Sequence, residues 1–157
     1  MKFFPIALSL NDKNVLVVGA GEVSLRKTKS FLASGAKVEV IAPLACSGIV
    51  RLSKSKKIRW IRRNVKRSDV NARDLVVSAA DNRITNNKVS MWAKKLGVLV
   101  NVVDAPLISD FISLAVIRKQ KAIVAVYTDA RDPVLPRDLK NFLKEKRDEF
   151  LSYRCRI

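Results

Sequence analysis

A glycine-rich turn between a predicted strand and a predicted helix constrains this 157-residue chain most strongly. Residues 14–18 form a compact, mostly β-branched run, which predicts a buried strand, and Gly-Ala-Gly follows directly at 19–21. Residues 21–34 carry apolar side chains on one broad side and stop at Gly35, which predicts a helix. The N-terminus of such a helix presents unpaired N–H groups to which a phosphate binds. The turn therefore indicates a nucleotide site, with a tight turn that holds no ligand as the alternative.

Strands and helices alternate through the first two thirds of the chain. Continuously apolar runs predict more strands, and runs with helical spacing predict the helices between them. The predicted strands cover 37–42, 58–61, 74–80 and 98–103, and the predicted helices cover 44–52 and 82–96. Parallel strands joined by helices form a sheet that is covered on both faces, and ligands bind at the carboxyl ends of its strands. The predicted fold class is therefore α/β, with a doubly wound parallel sheet.

The last third of the chain has a different pattern. Residues 111–118 and 122–128 are β-rich runs that predict an antiparallel hairpin, and 135–151 predicts a basic amphipathic helix. Because a two-stranded hairpin is marginally stable in water, we expect a second copy of the chain to cover it. The sequence thus predicts a homodimer with a nucleotide-binding domain at 1–110 and a dimerisation and substrate region at 111–157.

The chain is strongly basic, with 31 Lys and Arg residues, 14 Asp and Glu residues and a formal charge of +17. A charge of this size favours a polyanionic partner. Residues 51–67, the basic run, contain nine of the cations and no acid, but Trp60 is their one aromatic residue. Because surfaces that bind single-stranded nucleic acid combine cations with aromatic side chains, a solvated face is favoured for this run. A nucleic-acid partner is not expected.

The chain contains no histidine, and this excludes several kinds of chemistry. Ser-His-Asp catalysis, Cys-His catalysis and histidine-based metal sites all require that residue, and we predict no metal centre. Cys46 and Cys155 lie in no paired motif, which favours the reducing cytoplasm. No apolar run approaches the ~20 residues that span a bilayer, so no membrane partner is expected. The N-terminus lacks a cleavage signal and is expected to belong to the mature protein.

The predicted second strand ends without an acidic residue. A standard NAD site has Asp or Glu there to bind the adenosine ribose, whereas this chain has Ala42, Pro43 and Leu44. Backbone groups near Pro43 and Leu44 would hold the ribose instead. Glu39 is expected on the opposite face from its apolar neighbours, in contact with solvent. No arginine stands at this strand end to favour a 2′-phosphate, so the motif leaves NAD and NADP open.

Polar residues also stand at the carboxyl end of the predicted fifth strand, where cofactor and substrate would meet. Asn101 lies in that strand, and Asp104 follows it directly. A carboxylate beside an apolar strand is a candidate for acid–base catalysis. The alternative is an aspartate that caps a turn before Pro106.

The order of motifs along the chain resembles that of the precorrin-2 dehydrogenases, the N-terminal family of siroheme synthases. The resemblance covers nearly the whole chain, and the pairing of GEVSLRK with NVVDAP is its most specific part. The matching motifs are FFPIALSL (3–10), VLVVGAGEVSLRK (15–27), ASGAKVEVIAP (33–43), VSAADN (77–82), NVVDAP (101–106), FISLAVI (111–117), AIVAVYT (122–128) and DPVLPRDLK (132–140).

The resemblance implies a Rossmann-like domain that oxidises precorrin-2 to sirohydrochlorin with NAD⁺ in siroheme biosynthesis. Some members of the family also insert Fe²⁺, so ferrochelatase activity stays open. Asp104 matches the essential aspartate of the family and would handle protons, and Thr128 matches a serine-rich stretch near the tetrapyrrole. The implied cofactor-binding residues are Gly19, Gly21, Glu22, Val23, Pro43, Leu44, Ala80 and Asn101.

The family also suggests a reason for the positive charge, since precorrin-2 carries eight carboxylates. A basic cleft would concentrate and orient such a substrate. We expect this cleft near the predicted dimer hairpin, with Arg118, Arg131 and Arg137 as substrate-binding residues, together with Lys119 and Lys121.

Three departures from the family pattern bear on substrate binding. The chain has YTDARDP at 127–133 where the family commonly has a Ser- and Gly-rich stretch, and Leu114 replaces a common proline. It also stops before the helical domain that many members place over the substrate cleft. These departures favour an alternative, a non-catalytic Rossmann protein that binds a nucleotide or a tetrapyrrole.

Overall fold

The computed structural model describes residues 3–103, 105–119, 122–127 and 134–146. The chain divides into two compact units, one formed by residues 3–112 and the other by the described residues from Ser113 onward. None of the described helices is both long and apolar enough to cross a membrane.

The first unit is built on a five-stranded parallel sheet. Its strands are β1 (Asn14–Val18), β2 (Lys37–Ile41), β3 (Arg59–Ile61), β4 (Leu75–Ser78) and β5 (Leu99–Val102), and its helices are α1 (Glu22–Leu32), α2 (Ser47–Lys54) and α3 (Arg83–Lys95). The strand order is β3-β2-β1-β4-β5. This order is that of a doubly wound, Rossmann-like sheet, so the predicted fold class is confirmed.

Both faces of the central strands β1 and β4 are buried, which explains why these two strands are almost entirely apolar. Successive side chains of a strand point to opposite faces. Val15 and Val17 of β1 therefore pack under α1 and α2, whereas Leu16 and Val18 pack on the side of α3. Strand β2 departs from this pattern, since Glu39 stands between Val38 and Val40.

The structure moves the start of α2 from the predicted position. We predicted a helix over 44–52, but α2 begins at Ser47, and Leu44 is 84% exposed. Two short 3-10 turns, Arg67–Val70 and Pro106–Ile108, were not predicted. α3 begins close to its predicted start because the Asn82 side chain accepts hydrogen bonds from the backbone N–H groups of Ile84 and Thr85.

The prediction that Glu39 meets solvent was wrong. Its side chain is only 12% exposed and forms an ion pair with Arg73. Arg59, its register partner on β3, lies 3.5 Å away between Nη1 and Oε2. The fold therefore places two cations beside Glu39 that are distant from it in the sequence, and strand pairing accounts for Arg59.

The second unit contains the predicted antiparallel hairpin. It is formed by β6 (Ala115–Lys119) and β7 (Ala122–Val126), with Ile117 opposite Val124. Helix α4 (Leu135–Glu145) follows and contacts both strands. The predicted helix extended to residue 151, and residues 147–151 lie outside the described residues.

Candidate functional site

The strand order reverses between β1 and β4, and the glycine-rich turn lies at this point of the sheet. In open α/β sheets, ligands bind outside the carboxyl ends of the strands at such a reversal. Gly21 is the N-cap of α1, and no side chain caps this end of the helix. The first N–H groups of α1 are thus available to an anion, and the helix dipole favours one there.

The two glycines of the turn have different reasons to be glycine. Gly19 has φ +97°, and a Cβ on it would lie 2.7 Å from the carbonyl carbon of Ala79 and 2.9 Å from the N of Ala80. Gly19 is therefore required by the close approach of β1 and β4. Gly21 has φ −80°, and a Cβ there would meet nothing within 4 Å. Its missing side chain leaves open space directly at the N-terminus of α1, which fits a bound diphosphate.

One crevice opens over the ends of β2 and β3, and we call it the β2 crevice. Its volume is about 700 Å³. The predicted residues Gly19, Gly21, Pro43, Leu44 and Ala80 all line it. The structure thus brings the turn, the end of β2 and the end of β4 around one space, as the adenosine half of a dinucleotide requires.

A second crevice, the β5 crevice, opens between α3 and the chain that follows β5. Its volume is about 1210 Å³. Glu22 and Val23 line it from the first turn of α1, and Pro106 and Leu107 line it from the far side. The two crevices share a wall that consists of Gly21, Ala79, Ala80 and Asp81. A ligand that crosses this wall can therefore occupy both crevices.

Asn86 fixes the shared wall, and the sequence analysis did not identify it. Its Oδ1 accepts hydrogen bonds from Ser78 Oγ at 2.7 Å and from the N–H of Ala80 at 3.1 Å, and its Nδ2 donates to the Ala80 carbonyl at 2.8 Å. Both backbone polar groups of Ala80 are thus held by one side chain. The available signal was an Asn on the first turn of the helix that follows the fourth strand.

Asn101 lies apart from the other predicted cofactor residues. It is 4% exposed and lines neither crevice. Its Oδ1 accepts a hydrogen bond from Lys27 Nζ at 3.0 Å, and its Nδ2 donates to the Phe111 carbonyl at 2.9 Å. The oxygen and the nitrogen of the amide are therefore each bound within the protein.

The predicted catalytic and substrate residues are described only in part. Asp104, Thr128 and Arg131 lie outside the described residues, as does the side chain of Arg118 on β6. Arg137 lies on α4 in the second unit, where its Nε is 3.2 Å from Asp138 Oδ1 and most of the side chain is exposed.

The basic run contains structural contacts that the sequence did not reveal. The Arg62 guanidinium stacks 4.4 Å above the Trp60 ring, and the Trp60 indole N–H donates to the Ala42 carbonyl at 3.0 Å. Trp60 is thus engaged by the protein at both its face and its edge. Arg63, which lines the β2 crevice, binds Asp69 through two hydrogen bonds of 2.7 and 2.6 Å. These bonds hold the pKa of the Asp69 carboxyl below its usual range.

Comparison with known proteins identifies the family. Residues 6–115 match the family model described as "Putative NAD(P)-binding". Siroheme synthase of Methylococcus capsulatus is 40% identical over 140 residues, and that of Buchnera aphidicola subsp. Acyrthosiphon pisum is 39% identical. These matches cover 89% of this chain and 30% of each relative, so the chain spans about a third of their length.

A solved structure extends the likeness beyond the sheet. The structure of SirC, a precorrin-2 dehydrogenase, superposes with a TM-score of 0.81 at 26% identity. The match covers 92% of this chain and 71% of that one. The chain therefore belongs to this NAD(P)-binding family, the siroheme synthase N-terminal domain family.

Proposed function

We propose that this protein oxidises precorrin-2 to sirohydrochlorin with NAD⁺, as a step of siroheme biosynthesis. The match to SirC over 92% of the chain carries this proposal. The two crevices around the glycine-rich turn support it, because together they offer an extended site for a dinucleotide.

The residues of the turn would hold the cofactor. The N–H groups of Glu22 and Val23 stand at the uncapped N-terminus of α1, beside the open space over Gly21, and suit the diphosphate. Pro43 and Leu44 would border the adenosine in the β2 crevice. When bound, a nicotinamide accepts a hydride from the substrate.

Asp104 is proposed as the base that takes the proton lost with that hydride. It comes two residues after the end of β5 in the sequence, between Val103 and Ala105, which both line the β5 crevice. A positioned carboxylate is suited to this role because proton transfer in the transition state accelerates such a reaction by about 10²–10⁴-fold. Oxidation then removes one hydride and one proton from precorrin-2 and yields one reduced nicotinamide.

The second unit would bind the substrate and form the homodimer. The polycarboxylate substrate suits the cations Arg118, Arg131 and Arg137, to which we assign its binding. The apolar side chains that β7 and α4 expose, such as Ile123 and Phe142, suit coverage by a second copy of the chain.

An anaerobic assay with precorrin-2 and NAD⁺ tests this function. The wild-type chain should form NADH and sirohydrochlorin in equal amounts. Asp104→Asn should lower kcat by at least about 100-fold and leave the Kd for NAD⁺ unchanged, because the amide cannot accept the proton. Asp12→Asn, a change at an exposed carboxylate that pairs with Lys37, is the matched control and should keep full activity.

The non-catalytic alternative makes a different prediction in the same assay. It is motivated by YTDARDP at 127–133, which replaces the Ser- and Gly-rich stretch of the family. Tight binding of NAD⁺ and sirohydrochlorin without turnover of precorrin-2 would favour this alternative. Addition of Fe²⁺ to the sirohydrochlorin complex would then show whether the chain inserts metal.

A further inference from the structure

A lysine on the turn helix reaches across to the fifth strand. Lys27 lies on α1, and its Nζ donates a hydrogen bond of 3.0 Å to Asn101 Oδ1, although the two residues are 74 positions apart. Lys27 is partly buried, so its aliphatic stem lies within the protein while its ammonium reaches the amide. The helix that begins at the cofactor turn is therefore joined directly to β5.

The face of α1 around Lys27 is unusually polar for a helix that covers a sheet. Ser24 and Thr28 are fully buried there, and neither hydroxyl has a hydrogen-bond partner among the described residues. Such groups are rare in protein interiors because burial removes their hydrogen bonds to water. A polar strip on this face is a cost to folding, which suggests a role for it outside stability.

Asn101 passes the contact on to the chain beyond β5. Its side chain points to the α1 face, since its neighbours Val100 and Val102 pack on the α3 face. Its Nδ2 donates to the Phe111 carbonyl at 2.9 Å. Because both ends of the amide are engaged, its orientation is fixed, and Lys27, Asn101 and Phe111 form one hydrogen-bond chain.

This chain of hydrogen bonds joins Asn101 at the end of β5 to Phe111, ten residues further along the chain. The return of the backbone after β5 is also held by Ser109 Oγ, which accepts from the Val102 N–H at 2.8 Å, and by the Asp110 N–H, which donates to the Val100 carbonyl at 2.8 Å. These bonds lie within β5 and its own continuation. Lys27 adds a hydrogen bond to this region from α1, the helix that follows the glycine-rich turn.

We propose that Lys27 is a positioning residue, which acts through Asn101 to hold residues 101–103 and 105–111, the chain on either side of Asp104 in the sequence, in register with the glycine-rich turn. The proposal rests on the function proposed above. Lys27 acts through Asn101 and is not assigned a contact with the substrate.

Two measurements on Lys27→Met test the proposal. In the precorrin-2 assay, kcat should fall at least tenfold while the KM for NAD⁺ and its Kd change less than twofold, because the turn itself is intact. Lys27→Arg keeps a cationic donor and should recover most of the lost kcat. Lys29→Met, on the exposed side of the same helix, is the matched control and should behave as the wild type.

Hydrogen–deuterium exchange gives a readout that does not depend on turnover. Peptides that cover residues 100–112 should exchange at least threefold faster in Lys27→Met than in Lys29→Met, while peptides from β1 should not change. Unchanged exchange and kcat in Lys27→Met would overturn the proposal. An equal loss of NAD⁺ affinity and exchange protection throughout the first unit would also overturn it, since Lys27 would then support the whole fold. A wild-type chain that turns over no precorrin-2 refutes the proposed function, and the assignment of Lys27 to that reaction falls with it.

Discussion

The five-stranded sheet and the two-stranded hairpin are built from the same kinds of residue but bury them to different extents. Val15, Leu16 and Val17 of β1 are completely buried, whereas Ile123 of β7 is 65% exposed. The sheet has helices on both faces and completes its core within the first unit. The hairpin and α4 leave apolar side chains uncovered among their described residues. Apolar sequence alone therefore does not show whether a strand is covered by its own chain or by a partner.

The largest loss of stability in the sheet unit is expected from a substitution at Gly19. Gly19→Ala should lower the free energy of unfolding by about 3 kcal/mol, because the residue has a positive φ and its new Cβ would meet the backbone of Ala79. Gly21→Ala is the control, with an expected stability loss below about 0.5 kcal/mol, since φ is negative and the space is open. Urea unfolding measures both variants. The explanation given for the two glycines fails if Gly21→Ala destabilises the protein more than Gly19→Ala does. The proposal that Gly21 leaves space for the diphosphate fails if Gly21→Ala does not change the affinity for the nucleotide.

The proposal that a second copy of the chain covers the hairpin is tested at Ile123. Ile123→Lys should weaken self-association at least tenfold and leave the unfolding of the sheet unchanged, because a charge replaces exposed apolar surface on β7. Ile84→Lys is the matched control, since Ile84 is 66% exposed on α3 in the first unit. Sedimentation equilibrium measures the association. A monomeric wild type, or a dimer that tolerates Ile123→Lys, would contradict a homodimer formed through the hairpin.

A smaller loss of stability is expected when the sheet unit is exposed to acid. The pKa of Asp69 is lowered first by hydrogen bonds from Arg63, and the pKa of Asp74 is lowered first by the Asn14 N–H. A carboxyl with a lowered pKa in the folded state stabilises the protein above its unfolded pKa of about 4, and this contribution is lost as the pH falls through the folded pKa. The free energy of unfolding should therefore decrease below about pH 4. In Asp69→Asn the decrease should be smaller by about 1 kcal/mol, as followed by urea midpoints across the pH range. An unchanged pH dependence in this variant would show that the Arg63–Asp69 pair contributes nothing.

The elements that follow from local pattern could be predicted from the sequence. The bounds of β1 agree with the prediction, and the other four strands of the sheet differ from it by at most two residues at either end, because buried parallel strands are continuous apolar runs between turn residues. The glycine-rich turn could be located because it directly follows such an apolar run. The start of α2 was missed because no capping residue marks it, and Cys46 is its N-cap.

The features that depend on distant contacts could not be predicted in this way. Arg73 pairs with Glu39, 34 residues away in the sequence, and Lys27 binds Asn101, 74 residues away. Neither pair has a sequence spacing from which the contact could be predicted. The meeting of Gly19, Pro43 and Ala80 at one crevice could be anticipated because the carboxyl ends of parallel strands share an edge. The roles assigned to these residues and to Asp104 stay predictions.

Because the two crevices share a wall, a dinucleotide bound at this sheet edge would behave as two linked fragments. Gly21 and Ala79 to Asp81 separate a smaller space from a larger one, and each space has its own lining beyond the wall. A mononucleotide that matches either half of a dinucleotide would find a compartment of its own. Two such fragments could then be bound at once, each displaced by the full dinucleotide but not by the other. The diphosphate would act as the tether that raises the effective concentration of the second half once the first is bound.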